Sequence, residues 1–367
     1  MKIAIVANTS WYVYNFRKEL ISAFLENGHK VVTIAPVYMD EYSQKLIDMG
    51  CHHFNVNMDN KGTNPLKDIA TFFSFVSIYK KAKPDIILHF TIKPNIYGTL
   101  AAKYLKIPCI NNISGLGTLF IKEGFATKIA KVLYRISLQH AKHVFFQNEE
   151  DRDLFIKHNL LDVSKTSILP GSGVDTERFA PRERVNGGKF IFLLVARMLK
   201  DKGIVEFVEA ARQIRKERDN SEFWLLGFMD DKNRTAVSNK EMSEWIKEGS
   251  IKYLGPTDSV EDFIALADCV VLPSYREGTP RSLLEAASMG KPLITTDVPG
   301  CKNVLMENIN GFLCEPKNSH DLAQKMMQMM DLPKEEREIM GKASRDFILE
   351  KYDVKTVIKE YQKEINQ

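Results

Sequence analysis

The amino-acid sequence predicts an α/β protein with two doubly wound parallel sheets, one in each half of the chain. In the first half, stretches of helical period separate short apolar runs at residues 2 to 7, 30 to 36, 52 to 56, 85 to 90, 108 to 112 and 143 to 147. This alternation is typical of parallel strands covered by helices on both faces. With 367 residues, 44% of them hydrophobic, the chain is long enough to bury two separate cores.

The boundary between the halves is predicted from composition. Residues 171 to 188 are rich in glycine and charge and contain Pro181, as linkers between domains often are. Strand and helix alternation then resumes and continues to about Cys314. We therefore expect a first Rossmann-like domain over residues 1–182 and a second over residues 183–352.

Charge and cysteine content narrow the functional class. A net charge of +4 with 27% charged residues is too mild a balance to favour nucleic acid as the main partner. The five cysteines are scattered and form no Cys-x-x-Cys pair, which disfavours a disulfide framework and a zinc site. The sequence has no apolar stretch of about 20 residues and no leader-like start. We expect a cytoplasmic protein that would meet a membrane only from the side.

The stretch Pro273 to Gly290 carries the strongest local signal for a binding site. It follows a short apolar run, residues 268 to 272, and leads through a loop into a helix. Thr279 is a suitable N-cap, Pro280 suits the first helical position, and Gly290 ends the helix. A loop that enters a helix N-terminus presents backbone N–H groups to an anion, so this stretch favours a phosphate ligand.

Two carboxylates flank that predicted phosphate site. Glu277 lies in the loop, and the helical rise places Glu285 about 6–8 Å below the helix N-terminus, about one sugar ring away. A carboxylate next to a diphosphate is favourable when it accepts from a pair of ribose hydroxyls. By spacing alone, two ordinary exposed carboxylates remain the alternative.

The segment Glu277 to Glu285, EGTPRSLLE, resembles the Glu-x7-Glu signature of the retaining glycosyltransferases of family 4. Other segments that resemble the family are Val195 to Gly203, Gly227, Tyr253 to Gly255, Gly290 to Asp297, Gly300 and Asn310 to Leu313. Within the family, the chain is most similar to the group that builds bacterial capsule, O-antigen and lipid-linked oligosaccharides. That group includes N-acetylgalactosaminyltransferases that extend a sugar on undecaprenyl diphosphate.

The resemblance implies a fold and a reaction. The fold is GT-B, with the two domains facing a central cleft and a C-terminal helix, residues 353–367, crossing back to the N-terminal domain. The implied reaction moves a hexose or N-acetylhexosamine, with N-acetylgalactosamine from UDP-N-acetylgalactosamine as the first expectation, onto an undecaprenyl-diphosphate-linked sugar. No cofactor and no metal are expected, and the enzyme would work peripherally on the inner face of the bacterial plasma membrane.

Arg197 and Lys202 match family residues that bind the donor diphosphate, so with Glu277 they are the predicted catalytic residues. Charge-assisted contacts to a departing diphosphate strengthen as the glycosidic bond breaks. Glu285 is the expected ribose ligand. The other predicted donor contacts are Gly278, Thr279, Pro280, Gly255 and Ser10. Ser10 departs from the family, because many relatives carry glycines in that loop.

The acceptor is expected at loops of the first domain. The predicted acceptor residues are Lys93, Asn95, Gly115, Gly117 and Thr118. Lys93 is a cation that could face a lipid diphosphate. Many relatives have a histidine that contacts the transferred sugar where Ile92 stands here, and His89 is the only histidine nearby. Whether His89 or Ile92 takes that place stays open.

Membrane contact is expected after the acceptor loop. Phe120, Ile121 and Phe125 beside lysines, followed by a helix with Lys131 and Arg135, would suit a bilayer surface. An amphipathic helix packed on its own sheet is the alternative.

The sequence also contains Asp151-Arg152-Asp153, which matches the metal-binding Asp-x-Asp of another glycosyltransferase fold. We interpret it as a helix start, with Asn148 as N-cap and acidic residues in the first turn.

Three functions therefore compete. A retaining transferase explains Arg197, Lys202 and the two glutamates together. The family implies retention of anomeric configuration, and since no carboxylate stands out as a nucleophile, front-face substitution is the expected route. A nucleotide-sugar epimerase on a GT-B fold is the alternative and would need an acid/base pair near the sugar. A non-catalytic sugar-nucleotide sensor ranks last, because both cations are present.

Overall fold

The computed structural model describes residues 1–37, 40–59, 64–115, 125–183, 188–230 and 233–366, with the side chains of residues 125 and 126 left out. The chain divides into two compact units. The N-terminal unit comprises Met1–Ser172 and Val354–Gln367, and the C-terminal unit comprises Gly173–Asp353. Each unit is built on one parallel sheet, which confirms the predicted fold class.

The division lies between residues 172 and 173, whereas composition placed the boundary between residues 182 and 183. Hydrogen bonds explain the difference. The Val174 N–H donates to the carbonyl of Tyr352 at 2.9 Å. The Thr176 hydroxyl donates to Asp353 at 2.7 Å. The segment from residue 173 onward is therefore attached to the C-terminal unit, and the division falls near the start of the glycine-rich stretch, residues 171 to 188, that marked the predicted boundary.

The sheet of the N-terminal unit has seven strands in the order β3-β2-β1-β4-β5-β6-β7, all paired in parallel. The strands are β1 Lys2–Val6, β2 Lys30–Ala35, β3 His52–Asn55, β4 Ile86–Phe90, β5 Cys109–Ile113, β6 His143–Phe146 and β7 Thr166–Ile168. The apolar runs predicted the first six. The edge strand β7 was missed because its sequence, Thr-Ser-Ile, is short, half-buried and mostly polar.

Helices cover both faces of this sheet. They are α1 Ser10–Glu26, α2 Glu41–Asp48, α3 Pro65–Ala82, α4 Thr99–Leu105, α5 Phe125–Leu138, α6 Glu149–Lys157 and, from the end of the chain, α13 Val354–Asn366. A π-helical turn, Pro94–Gly98, leads into α4. Because successive strand residues point to opposite faces, Ile3 and Ile5 pack with α1 and α13, whereas Ala4 and Val6 pack with α3 and α4.

The sheet of the C-terminal unit has six parallel strands in the order β10-β9-β8-β11-β12-β13. They are β8 Phe190–Val195, β9 Ser221–Leu226, β10 Lys252–Tyr253, β11 Cys269–Leu272, β12 Leu293–Thr296 and β13 Gly311–Cys314. The helices of this unit are α7 Ile204–Glu217, α8 Asn239–Lys247, α9 Val260–Leu266, α10 Arg281–Ser288, α11 Ser319–Asp331 and α12 Lys334–Lys351. The chain runs outward from β8 to β10 and then returns to β11 on the other side of β8, so a topological switch point lies between β8 and β11.

The last helix is anchored in the N-terminal unit by its buried face. The amide of Asn112, in β5, donates to the Tyr361 hydroxyl at 2.8 Å, and the ammonium of Lys142 donates to the carbonyl of Glu364 at 2.7 Å. The Tyr361 ring packs edge-on against Phe145 at 4.9 Å between centroids. Among the described residues, no helix combines the length and the apolar character that crossing a bilayer requires.

Candidate functional site

The switch point of the C-terminal sheet brings together the loops that follow β8 and β11. Ligands of open parallel sheets bind at such a point, beyond the carboxyl ends of the strands. The backbone N–H of Tyr275, after β11, donates to the carbonyl of Asp201, after β8, at 2.9 Å. Gly203 has φ of +73°, and a Cβ atom there would lie 2.2 Å from the carbonyl oxygen of Pro273. The two loops can therefore meet this closely only with glycine at position 203.

Three side chains converge at this junction. The Lys202 ammonium donates to Oε1 of Glu277, and the Ser274 hydroxyl donates to the same oxygen at 2.8 Å. Ser274 is fully buried, while Lys202 and Glu277 keep about a fifth and a seventh of their side chains exposed. Sequence reasoning chose Lys202 and Glu277 separately and missed Ser274, although its place directly after Pro273 at the end of β11 is visible in the sequence. The cluster thus places a fixed cation and a fixed carboxylate between the loops that follow β8 and β11.

The backbone around Glu277 is held as tightly as its side chain. Its N–H donates to the carbonyl of Pro299 at 3.2 Å. Gly300 has φ of +84°, and a Cβ atom there would lie 2.4 Å from the Glu277 carbonyl oxygen. The loops after β11 and β12 therefore touch at backbone level, which presets the position of the carboxylate.

Helix α10 begins one residue later than predicted. It starts at Arg281, with Pro280 as its N-cap in an extended conformation, φ −74° and ψ 110°. The expectation that Thr279 caps the helix and Pro280 takes its first position was wrong, because the ψ of Pro280 is not helical and the N-cap makes no side-chain bond. The helix ends as predicted, with Gly290 at φ +71° after the C-cap Met289. Gly278, Thr279 and Pro280 thus form the turn that precedes the helix.

Glu285 lies on the first turns of α10 and is 8% exposed. Nε of Arg281 donates to its Oε1 at 2.7 Å, and both side chains are mostly buried. This i,i+4 pair fixes the orientation of the carboxylate at the helix N-terminus. The Arg-x-x-x-Glu spacing in the sequence could have identified Arg281.

Arg197 lies after β8 and is the most exposed of the predicted catalytic residues. Its Nη1 lies 3.4 Å from Oδ2 of Asp230, and 43% of its side chain is exposed. Gly255 supports the adjoining loop, because its carbonyl accepts from the N–H of Gly227 at 2.9 Å. Gly227 has φ of +142°, and a Cβ atom there would lie 1.9 Å from the carbonyl oxygen of Ala196. The predicted donor residues of this unit therefore share one edge of the sheet.

The N-terminal unit has a hollow at the carboxyl edge of its sheet. It has a volume of about 230 Å³, and its lining includes Lys93, Asn95 and Gly115, three of the predicted acceptor residues. The Lys93 ammonium lies 2.6 Å from Oδ1 of Asp68, whose other oxygen accepts from the Tyr97 hydroxyl at 2.9 Å. The cation at this hollow is thus held by a carboxylate that sequence reasoning did not single out.

Thr91 and Asn95 contribute polar atoms to the same hollow. Thr91 has φ of +68°, a strained value for a β-branched residue, and its buried Oγ1 has no hydrogen-bond partner among the described residues. Asn95 is 1% exposed; its amide nitrogen donates to the carbonyl of Asn112 at 2.9 Å, while its Oδ1 has no partner in the described part of the chain. Strain and unpaired polar atoms at a hollow indicate a binding site.

His89 is fully buried in β4 and does not line the hollow. Its Nε2 lies 2.9 Å from the Tyr79 hydroxyl, and its Nδ1 lies 3.3 Å from the Thr99 hydroxyl. Desolvation lowers the pKa of its imidazole to about 3. The question left open between His89 and Ile92 is therefore decided against His89, because its side chain is fully buried and does not reach the hollow. Ile92, which stands at the family's histidine position, does line the hollow.

The remaining predicted residues divide into two groups. Ser10 begins α1 in the N-terminal unit, where it is 1% exposed and its hydroxyl donates to Asp40. Gly117, Thr118, Phe120, Ile121 and the side chain of Phe125 lie outside the described residues.

The described residues also bear on metal binding. They contain no cluster of three or more histidine, cysteine, aspartate or glutamate side chains that could hold a metal ion. Asn148 caps α6 by accepting from the N–H of Asp151 at 2.8 Å, with acidic residues in the first turn. The Asp-x-Asp match at residues 151 to 153 is therefore a helix start, as predicted.

Comparison with known families matches both units to glycosyltransferases. Residues 2–148 match the "Glycosyl transferase 4-like" model, and residues 175–347 match the "Glycosyl transferases group 1" model. Among solved structures, Alr3699/HepE from Anabaena in complex with UDP and glucose superposes with a TM-score of 0.83 at 15% identity, over 100% of both chains. That likeness identifies the fold as GT-B.

Two curated relatives are enzymes of bacterial glycan assembly. The N,N'-diacetylbacillosaminyl-diphospho-undecaprenol alpha-1,3-N-acetylgalactosaminyltransferase of Campylobacter jejuni is 29% identical over 99% of this chain and 98% of its own. The UDP-Gal:alpha-D-GlcNAc-diphosphoundecaprenol alpha-1,3-galactosyltransferase of Escherichia coli is 27% identical over 79% of this chain and 77% of its own. With a 4-like model matching one unit and a group 1 model matching the other, the chain belongs to the GT-B glycosyltransferases of family 4.

Proposed function

We propose that this glycosyltransferase moves an N-acetylhexosamine, with N-acetylgalactosamine from UDP-N-acetylgalactosamine as the best candidate, onto a sugar linked to undecaprenyl diphosphate. The observation that carries the proposal is the junction of Lys202, Glu277 and Ser274 at the switch point of the C-terminal sheet. Both relatives named above act on undecaprenyl-diphosphate-linked sugars, and the relative aligned over nearly the whole chain transfers N-acetylgalactosamine. That relative supports the choice of donor.

In this proposal the C-terminal unit binds the nucleotide sugar. Lys202 and Arg197 face the diphosphate, and their charges offset the negative charge that grows on the phosphate oxygen as the bond from the anomeric carbon breaks. Glu285, held by Arg281, accepts from the ribose hydroxyls. Gly278, Thr279 and Pro280 form the turn against the phosphates, and Gly255 and Ser10 remain proposed donor contacts. Fixed side-chain cations can supply this charge stabilisation without a metal ion, so we propose a metal-independent reaction.

Retention of configuration is the proposed stereochemical outcome. The names of both relatives specify alpha linkages, and the common UDP-sugars are also alpha at the anomeric carbon. A double displacement needs an available carboxylate nucleophile. Oε1 of Glu277 already accepts from both Lys202 and Ser274, which makes it a weak nucleophile. We therefore propose front-face substitution, in which the acceptor hydroxyl gives its proton to the departing phosphate oxygen.

The acceptor is proposed to bind the N-terminal unit. Lys93 supplies a cation for the lipid diphosphate, Asn95 and Thr91 supply polar atoms for sugar hydroxyls, and Gly115 lets the backbone approach. Gly117 and Thr118 are proposed to extend this site. A polyprenyl acceptor resides in the bilayer, so the proposed location is the inner face of the plasma membrane, reached through the N-terminal unit.

Mass spectrometry of lipid-linked products tests this function. Purified protein is offered undecaprenyl-diphosphate-linked acceptors with a panel of UDP- and GDP-sugars, with and without EDTA. We expect one UDP-N-acetylhexosamine to lengthen the lipid-linked glycan by one residue, undiminished by EDTA. NMR of the product should show an alpha linkage.

A matched pair of variants ties that reaction to the site. Lys202→Ala should lower product formation by at least about 100-fold. Lys200 lies on the same turn as Lys202, but its ammonium pairs with Glu241 of α8 at 2.8 Å, so Lys200→Ala should leave product formation intact. Isomerisation of a donor without growth of any acceptor would replace the transferase proposal with an epimerase. A beta-linked product would overturn retention alone.

A further inference from the structure

Two residues that line the hollow of the N-terminal unit have buried polar atoms without hydrogen-bond partners among the described residues. The atoms are Oδ1 of Asn95, a residue that is 1% exposed, and Oγ1 of Thr91. The two residues are one turn apart, because the N–H of Asn95 donates to the carbonyl of Thr91 at 3.0 Å. Unpaired polar atoms are costly in a protein interior, so a ligand group that pairs with them is expected here.

The surroundings of Asn95 define what such a ligand must offer. The amide nitrogen of Asn95 donates to the carbonyl of Asn112 at 2.9 Å. Since a carbonyl only accepts, the nitrogen must face Asn112, and the free atom of the Asn95 amide is its oxygen, an acceptor. The Thr91 hydroxyl can donate as well as accept. The hollow therefore offers an obligate acceptor close to an available donor.

The backbone holds both residues in uncommon conformations. Thr91 has φ of +68°, and Asn95 belongs to the π-helical turn Pro94–Gly98. The side-chain amide of Asn111 donates to the Asn95 carbonyl at 3.0 Å and so fixes this turn to β5. Short π-helical turns and strained residues other than glycine occur frequently at functional sites. The two unpaired atoms are thus held in place by the surrounding structure.

Apolar side chains form another part of the lining. They are Met58, Ile113 and Tyr134, each at most 7% exposed, and Ile92, which is 36% exposed. The volume of about 230 Å³ is below the roughly 300–1,000 Å³ of pockets that enclose a whole small ligand. The hollow therefore suits one substituent of a sugar, and that substituent needs an apolar part as well as polar atoms.

We infer that the hollow binds the acetamido group of an N-acetylated acceptor sugar. The N–H of that group donates to Oδ1 of Asn95, and its carbonyl oxygen accepts from the Thr91 hydroxyl. Its methyl group packs against Met58 and Ile113. Thr91 and Asn95 thereby determine the specificity for the acceptor. The inference rests on the proposed function, which places the acceptor at this hollow and its diphosphate at Lys93.

Other substituents of a sugar fit this lining less well. A hydroxyl can pair with Asn95 or Thr91, but it brings no apolar atoms to the walls. A carboxylate has no proton to donate to Oδ1 of Asn95 and would be repelled by that oxygen. A free amine carries a charge at neutral pH and would lose its water against Met58 and Ile113. An acetamido group is uncharged and combines a donor, an acceptor and a methyl group.

Transfer to two matched acceptors tests the inference. Both are short-chain alkyl diphosphates, one carrying N-acetylglucosamine and the other glucose, and each is offered with UDP-N-acetylgalactosamine. We expect kcat/KM to be at least about 100-fold higher for the N-acetylated acceptor, because glucose cannot pair with both polar atoms and lacks the methyl group. Equal kcat/KM values for the two acceptors would overturn the inference and leave the transferase function intact.

Thr91→Val removes the hydroxyl but keeps the β-branched shape. We expect this variant to lower kcat/KM for the N-acetylglucosamine acceptor about tenfold and to leave the value for the glucose acceptor unchanged. Thr91→Ser keeps the hydroxyl and should retain the preference of the parent. Equal losses on both acceptors would show that Thr91 only shapes the loop, which would contradict its role in specificity.

The same variant separates the acceptor from the donor, since the proposed donor also carries an acetamido group. UDP-galactose, which lacks that group, is compared with UDP-N-acetylgalactosamine as the donor. We expect Thr91→Val to leave the ratio of the two kcat/KM values unchanged. A changed donor ratio together with an unchanged preference between acceptors would assign the hollow to the donor and overturn the inference.

Saturation-transfer NMR provides a measurement that does not depend on transfer. With the parent protein and UDP in place of the donor, the acetyl methyl protons of the N-acetylglucosamine acceptor should receive more saturation than its ring protons. Thr91→Val should reduce this difference. Methyl protons no more saturated than ring protons would contradict their placement in the hollow. Strong methyl saturation without transfer from any donor would contradict the proposed function and leave the inference standing.

Discussion

The carboxyl edges of the two sheets carry different chemistry. In the C-terminal unit that edge holds ion pairs, Lys202 with Glu277 and Arg281 with Glu285. In the N-terminal unit, the described residues of that edge form mainly a network of buried amides, in which the Asn111 side chain donates to the Asn95 carbonyl at 3.0 Å, beside the Lys93–Asp68 ion pair at the hollow. Charged groups suit a nucleoside diphosphate, and amides suit the hydroxyls of a sugar. This difference agrees with the proposal that the C-terminal unit binds the donor and the N-terminal unit binds the acceptor.

The largest loss of activity is expected when the Lys202–Glu277 ion pair of the C-terminal unit is removed. Lys202→Ala should lower kcat by about 100-fold to 1,000-fold, because it removes a cation that stabilises the leaving group. Glu277→Gln should cause a similar loss by releasing the lysine from its position. Steady-state kinetics with UDP-N-acetylgalactosamine measures both effects. Losses confined to the donor KM would show that the pair binds substrate without assisting departure of the diphosphate.

A smaller effect is expected from changing Ser274, which contacts the Lys202–Glu277 pair through its hydrogen bond to Glu277. Ser274→Ala removes the hydroxyl that donates to Glu277 at 2.8 Å and should lower kcat about tenfold, with little change in the acceptor KM. Because the serine is buried, thermal unfolding of the variant is the control for a general loss of stability. An unchanged kcat would mean that Lys202 and the backbone position Glu277 without it.

The amide edge is tested through Lys93. Lys93→Gln should raise the KM for the lipid-linked acceptor about tenfold, as expected for loss of a charge-assisted contact worth about 1.5 kcal/mol, and should leave the donor KM unchanged. Lys106→Gln, at the exposed end of α4, is the control. A rise in the donor KM instead would contradict the assignment of the two substrates to separate edges.

The two edges also differ in how well the sequence predicts them. Glu277 and Glu285 belong to one loop and helix pattern after β11, and Lys202 lies on the turn after β8. Local spacing and the family resemblance were therefore enough to choose all three. Their partners Ser274 and Arg281 were overlooked, because their importance depends on side-chain directions at the end of β11 and the start of α10. Pro280 was misplaced by one residue, because its ψ of 110° is extended and not helical.

The contacts at the amide edge were harder to predict from the sequence. Asp68 lies 25 residues before Lys93, and only the fold brings the two within 2.6 Å. The strain at Thr91 is a backbone property that a threonine in a sequence does not suggest. His89 stands near the end of a strand, but β4 lies between β1 and β5 with helices on both faces of the sheet, so all five of its residues are buried. Sequence patterns thus predicted six of the seven strands of the N-terminal sheet and the strand and helix alternation of the second half, whereas the contacts between distant segments required the structure.

The smallest expected effect concerns that buried histidine and the stability of the amide edge. Since burial lowers the His89 pKa to about 3 and the unfolded value is near 6.5, the unfolded chain binds one more proton between these limits. The free energy of unfolding should therefore be unaffected by this group above pH 6.5 and should fall as the pH drops below it. The slope from this one residue is about 1.4 kcal/mol per pH unit at most.

Urea unfolding between pH 5 and pH 7.5 measures this slope, with Trp224 and Trp245 replaced by phenylalanine so that Trp11 reports on the N-terminal unit. His89→Leu should cost about 1–3 kcal/mol at pH 7.5, because the buried Tyr79 hydroxyl loses its partner, whereas Thr99 keeps its bond with Asn111. The same variant should show a shallower decline toward pH 5, whereas His52→Leu, exposed on β3, should decline as the parent does. If His89→Leu and the parent declined in parallel, the pH dependence would belong to other groups, and the amide edge would owe its stability to packing alone.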